Sequence, residues 1–301
     1  MRIVETVQRV TPLGVAFYDL LTDAPITDGL TVSARASDQI GAFRAAVPTP
    51  SGVHAISGLP VLRNVECPRP GSGERLELDD LPSGFGVAID VIVEDRYGRF
   101  LPTAMRIVAP RRGLVVAADA LAGCAALAWS VPDDMPMFLM SGPQRSVPAS
   151  SAVVRACLRD HATMAPAAHA VLVIETALSR TVGVADATGN VLVAFPYPEF
   201  DVTTLPGSTP AGSHGIPTAA QHWPVTVEVR WDPSELSFPS GVDIPRIHSV
   251  FCQRPGLVFP DDAAAGAPSS AGVLQYGVPL VLASANTAAD RTSYLFVEPA
   301  A

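Results

Sequence analysis

Six histidines, four cysteines and 29 acidic residues are the groups through which this chain could do acid–base, nucleophilic or metal chemistry. A zinc centre needs three or four convergent ligands. His214 and His222 lie in a Gly/Pro-rich stretch, His161 and His169 flank a turn, and His54 sits in an alternating strand, so solvated loop and sheet roles explain them. The doublets Asp79-Asp80, Asp133-Asp134 and Asp261-Asp262 stand beside proline turns. Adjacent residues on extended chain point to opposite sides, so one doublet cannot flank a scissile bond. Asp19, Asp23 and Asp28 could gather as oxygen ligands but lack the Asp-x-Asp-Gly spacing of a calcium loop, and turn formation accounts for them.

Nucleophilic chemistry fares no better. Gly71-Ser-Gly73 is too short for the strained G-x-S-x-G elbow, and no phosphate-cradling glycine loop follows a strand. All 20 basic residues are arginine, which excludes Schiff-base and P-loop lysine chemistry outright. Cys67, Cys124, Cys157 and Cys252 form no C-x-x-C pair and read as buried reduced thiols. We therefore assign no catalytic, cofactor-binding or metal-ligating residue, and expect a non-enzyme without cofactors.

Recognition is the remaining use for unusual side chains. Interfaces are enriched in Trp, Tyr and Arg and depleted in Lys. Trp223, Tyr197 and Phe200 cluster around a Pro/Gly-rich stretch, and Arg111 and Arg112 are the adjacent arginines, so these five are the interface candidates. Trp231 shares a strand face with Val225, Val227 and Val229 and reads as core. With a net charge of −9 and no basic stripe, nucleic acid is not an expected partner. The opening MRIVETVQRV lacks the apolar run of a signal peptide, and the Ala-rich stretch 113–129 is shorter than a membrane span. A soluble chain assembled in the cytoplasm, without a direct membrane span, is the expectation, a released particle being one destination.

The elements that must position these residues are strands. The chain has 301 residues, 48% apolar and 16% charged, with mean hydropathy +0.30, which suits about two folded domains. The 29 prolines and 23 glycines recur at intervals that exclude long helices. Short apolar runs bounded by turn residues predict strands at 15–19, 31–36, 52–56, 87–94, 105–108, 153–159, 170–175, 181–185, 191–195, 225–231, 278–283 and 292–297. Asp95 to Gly98 and Asp186 to Gly189 each set Asp three residues before Gly between such runs and read as hairpin turns. A short helix is expected over 243–252, entered through Pro245. The stretches 200–224 and 260–272 read as long loops or partner-binding arms.

A repeated grammar emerges. Residues 15–60 and 152–198 both run strand, polar turn with Pro, strand, Gly-bearing turn, apolar-Pro exit. In the second copy, Arg159-Asp160, Pro166, Ala185-Asp186, Gly189 and Val191 resemble the pattern of carboxypeptidase-regulatory or transthyretin-like β-sandwiches. The order of 51–60, 93–102 and 184–198 is similar to uncharacterised structural proteins of phage-tail-like contractile injection systems. The fold class expected is all-β, with tandem immunoglobulin-like or transthyretin-like β-sandwiches and long Pro/Gly-rich loops. Its expected division is an N-terminal sandwich-like repeat (1–65), a central β segment that can complete it (66–148), a transthyretin-like sandwich (149–232) and a C-terminal β extension (233–301). The resemblance implies a non-catalytic structural or adaptor subunit of a multiprotein particle, in its baseplate or shell, whose partners are other subunits or further copies of itself. The alternative is a carbohydrate- or receptor-binding β-sandwich module.

Overall fold

A computed structural model describes residues 11–66, 86–111, 113–121, 134–198, 221–261, 265–285 and 292–300. The chain is all-β, and each apolar run expected as a strand holds one. Among the described residues α-helix is confined to Arg63–Glu66, Ala117–Leu121 and Ile247–Phe251. The last of these is shorter than the 243–252 expected, and Pro245 precedes it rather than opening it.

Two compact units divide the chain. The first comprises residues 1–97, 102–139 and 237–248. Its strands are β1 (Leu13–Asp19), β2 (Ala24–Pro25), β3 (Leu30–Ala36), β4 (Arg44–Ala45), β5 (Val47–Pro48), β6 (Val53–Ile56), β7 (Val87–Asp95), β8 (Thr103–Ala109) and β9 (Met137–Leu139). One sheet runs β2-β1-β6-β5, with β9 alongside β1, and the other runs β4-β3-β7-β8. Alternation explains the buried face: Leu13, Val15 and Phe17 of β1 are fully buried at every second position. In β7, Ile89, Val91 and Val93 form one such face, yet Asp90 and Ile92 on the other face are buried as well.

The second unit comprises residues 98–101, 140–236 and 249–301. It contains β10 (Ser151–Asp160), β11 (Val171–Glu175), β12 (Arg180–Val184), β13 (Asn190–Pro196), β14 (His222–Arg230), β15 (Gly256–Phe259), β16 (Ser270–Gln275), β17 (Leu280–Leu282) and β18 (Leu295–Pro299). Its sheets run β13-β10-β18-β15, with β17 also beside β10, and β12-β11-β14-β16. Val154, Leu158, Val193 and Leu295 of the first sheet share one core with Leu172, Ile174, Val227 and Leu274 of the second, so this unit is a β-sandwich. Trp231 joins that core, in keeping with its face on the strand.

The two units share a strand plan. β1 is flanked by antiparallel β6 and parallel β9; β10 is flanked by antiparallel β13 and by parallel β17 and β18. In the facing sheets β3 pairs with β7 as β11 pairs with β14, and β8 and β16 extend those pairs. Parallel neighbours cannot be joined by a hairpin, so each first strand waits for a partner from far along the chain.

Several local expectations need correction. Asp95 to Gly98 does turn a hairpin, between β7 and β8. Asp186 to Gly189 does not, because β12 pairs with β11 while β13 pairs with β10 in the other sheet. The Asp186 carboxylate still organises the turn, accepting from the backbone N–H of Thr188 (2.8 Å) and Asn190 (3.0 Å). Turn chemistry bends the chain but does not choose the ladder. The stretch expected as an arm at 260–272 is partly sheet: Ala267 exchanges backbone hydrogen bonds with Val258 (2.7 and 2.9 Å), and β16 begins at Ser270. Residues 222–224 of the other expected arm open β14, Gln221 just before them is buried, and 200–220 lie outside the described residues.

Gly189 shows how tightly the sandwich end is closed. Its φ is +84°, its carbonyl accepts from the Leu158 N–H (2.7 Å), and a Cβ there would stand 2.3 Å from the Leu158 carbonyl oxygen. Gly277 has a similar φ of +73° but open space around it. Gly189→Ala is therefore expected to cost well over the ~1–2 kcal/mol of the left-handed backbone alone, while Gly277→Ala costs only that. Urea unfolding of the two variants measures the difference, and equal losses would contradict this packing.

Candidate functional site

The first unit's most concentrated polar chemistry lies on the outer face of β3, β7 and β8. Strand register sets Arg35 opposite Asp90 and Asp90 opposite Arg106, a row of alternating charge across three strands. The segment 237–248 covers this row. Arg246 donates to both Asp90 carboxylate oxygens (3.1 and 3.2 Å), and Arg106 donates to one of them (3.2 Å). Arg35 donates to the carbonyls of Gly41 and Ser240 (both 2.8 Å) and lies over the Phe43 ring at 4.3 Å.

Asp90 is 0% exposed. Burial pushes its carboxyl up, but the hydrogen bonds from Arg246 and Arg106 outweigh that and hold it below the ordinary carboxylate range. The arrangement fastens a distant segment to a sheet. Its carboxylate is occupied by guanidinium groups rather than presented to a substrate. Reading alone missed it, although an Asp inside the apolar run Val87-Ala-Ile-Asp-Val-Ile-Val93 was a visible signal for a buried, paired charge.

In the second unit, two interface candidates come together. Tyr197 packs against Trp223 with ring centroids 5.4 Å apart and against Tyr276 at 4.8 Å. The Tyr197 hydroxyl accepts from the Gly277 N–H (2.8 Å), and both Tyr197 and Trp223 are half-buried against the core. Phe200 and Arg112 lie outside the described residues. Arg111, in the first unit, is ion-paired with Asp119, whose other oxygen accepts from the Val116 N–H (2.8 Å).

A buried amide links three segments of the second unit. Gln253, 0% exposed, accepts from the Asp232 N–H (3.0 Å) and donates to the carbonyls of His169 (2.8 Å) and Val250 (3.0 Å). Burial also lowers the pKa of His169, with Asp186 opposing it, and lowers that of His54. His161 stacks on Phe259 at 4.0 Å. Among the described residues no three His, Cys, Asp or Glu side chains are grouped to hold a metal. Asp19, weighed as an oxygen ligand, accepts from the Leu21 N–H (2.9 Å) and the Thr22 hydroxyl (3.0 Å) in a local turn.

The thiols differ from the reduced set expected. Cys157 is free and half-buried, whereas Cys252 is disulfide-bonded. Sequence spacing cannot reveal which sulfurs meet in space.

These features define an all-β protein of two similarly ordered units whose polar clusters are structural fastenings. No protein-family model and no curated protein matches the chain. Among solved structures it is similar to a mutant of the shaft pilin spaA from Lactobacillus rhamnosus GG, at 9% identity and a TM-score of 0.22, over 98% of this chain and 99% of that one.

Because the folded Asp90 carboxyl titrates below its ordinary value, its stabilisation is complete above about pH 4 and is lost as pH falls through the folded pKa. Asp90→Asn removes the carboxylate charge with which Arg246, only 12% exposed, is paired. We expect a loss of about 3–5 kcal/mol near neutral pH, shrinking on acidification. Thermal unfolding of wild type and variant across pH measures this, and a pH-independent difference would contradict it.

Proposed function

We propose that this chain is a non-catalytic structural or adaptor subunit of a multiprotein particle, of the contractile, phage-tail-like kind. The observation that carries the reading is the duplicated strand plan, in which two units of the same order each close on a return strand. Repeated sandwiches of this sort act as rigid spacers, and their closed ladders resist local opening. The resemblance of residues 51–60, 93–102 and 184–198 to injection-system proteins supplies the kind of particle.

The polar side chains support the same reading. Asp90, Arg35 and Gln253 are each bound within their own unit, so their chemistry is spent on holding the fold. The aromatic group at Tyr197, Trp223 and Tyr276 closes one end of a core, which favours a structural role over the carbohydrate-binding alternative. The disulfide at Cys252 suits a particle that meets oxidising surroundings after release, since cytosolic thiols are kept reduced.

The test is to tag the chain in its own cell, purify particles by sedimentation and identify their subunits by mass spectrometry. Expected is a fixed ratio of this chain to the other particle proteins. A particle fraction devoid of it, with the tagged chain left entirely in the low-mass fractions, would overturn the proposal.

A further inference from the structure

The two units repeat each other at the level of single hydrogen bonds. β1 and β10 run into the same turn, Asp19-Leu-Leu-Thr-Asp-Ala-Pro25 and Asp160-His-Ala-Thr-Met-Ala-Pro166. In both, the Asp carboxylate accepts from the N–H two residues on (2.9 and 3.0 Å) and from the Thr hydroxyl (3.0 and 2.7 Å). The Asp carbonyl accepts from the N–H four residues on, at 2.8 Å in each. The turns before β6 and β13 agree as closely: Gly52 and Gly189 have φ of +78° and +84°, and each donates to the carbonyl three residues back at 3.0 Å.

The ladders then locate a difference. Continuing the β3-β7 register sets Gly29 opposite Arg96, and continuing the β11-β14 register sets His169 opposite Asp232. Gly29 and His169 share a left-handed backbone, at φ +78° and +60°. In the first unit the Arg96 N–H donates straight to the Gly29 carbonyl (2.9 Å). In the second, the Gln253 side chain stands between the equivalent groups, its oxygen accepting from the Asp232 N–H (3.0 Å) and its nitrogen donating to the His169 carbonyl (2.8 Å). There the chain departs from the repeat. β7 reaches β8 through the short turn 96–102, whereas residues 231–269 separate β14 from β16. The excursion is drawn shut at its base, where Arg254 is ion-paired with Asp232 and donates its N–H to the Glu235 carboxylate (3.0 Å). Residues 237–248 within it belong to the first unit.

We propose that residues 237–246 are a strap, carried on an insertion at 232–254 into the second of two duplicated units, that opens away from β3, β7 and β8 while both units stay folded. The first unit builds the equivalent ladder with a hairpin turn alone, so the shared fold does not require the insertion. The strap closes on itself, Arg246 N–H donating to the Ser237 carbonyl (2.8 Å) and Val242 N–H to that of Pro239 (3.2 Å). Its burial falls on Pro239 and Pro245, while Ser237, Phe238, Ser240, Gly241 and Asp243 are exposed. Polar contacts hold it to the sheet: Arg246 grips Asp90 and bridges to Ala104, and Arg35 donates to the Ser240 carbonyl. Asp90 lies on the sheet face opposite Ile89, Val91 and Val93, so opening leaves that apolar face covered. Segments with few buried apolar groups open locally at less cost than the whole fold. Opening frees Asp90 from Arg246, and the strap thereby sets whether the charged row of β3, β7 and β8 is covered. The device stands whether or not the chain is a particle subunit.

Hydrogen exchange on the full chain at neutral pH, resolved at the Val242 and Arg246 amides and at amides of β7 and β10, tests it. In wild type the strap amides should exchange well ahead of those in the two strands. Arg246→Gln removes the charge that grips Asp90, and Arg35→Gln removes the donor to Ser240. Each should speed exchange at both strap positions by about tenfold or more and leave β7 and β10 at wild-type rates. Strap amides that exchange only as slowly as β7 and β10 overturn the proposal, because the strap then opens with the whole fold. Variants that speed β7 by the same factor as the strap, or that leave the strap unchanged, overturn it as well.

Discussion

A strand inside a sheet needs a partner on each side, and for the first strand of each unit one of those partners is parallel and arrives late. β1 receives β9, and β10 receives β17 and then β18. No hairpin can make such a pair, so the chain must leave the sheet and cross back to it before the return strand can pair. Much else follows from that closure. The first strand becomes central, its side chains alternate into a covered core, and the chain between its two partners has to build the facing sheet. Such long-range pairing carries a large loop-closure cost, the usual reason that sandwiches of this kind fold slowly.

The charge row of the first unit solves a related problem. Residues 237–248 are separated from β3, β7 and β8 by more than a hundred residues of sequence, and an apolar contact alone would not specify their position. A buried carboxylate with two guanidinium partners is directional. Its hydrogen bonds to Arg246 and Arg106 together offset its desolvation, so Asp90 favours the docking geometry that supplies them. Gln253 does comparable work in the second unit with an uncharged amide, its oxygen and nitrogen bound to three backbone groups from separate segments.

Strand content was legible because the runs are short, alternating and punctuated, and local physics acts within that range. Val225, Val227 and Val229 alternate with Thr226, Glu228 and Arg230, and the structure buries one set and not the other. The small strands were not legible: β2, β4 and β5 hold two residues each and exist only because a neighbour offers a ladder. β16 was hidden for another reason, since Ala and Gly give it weak strand propensity and its pairing with β14 makes up the deficit. The interface candidates divide in the same manner. Tyr197 and Trp223 meet although twenty-five residues separate them, whereas Arg111 is held by Asp119.

What the sequence determined alone was the class: its composition excludes disorder, its prolines exclude long helices, and its alternation demands half-buried strands. It also determined where the chain turns, because Asp and Gly at turn positions act on their own backbone. Only the tertiary structure decided which strands pair, that Asp186 to Gly189 passes between sheets, that Asp90 is wrapped by arginines and that Cys252 is oxidised. Those outcomes depend on groups far apart along the chain. Their energies arise only when burial removes water from both partners at once, and no local pattern encodes which partners those will be.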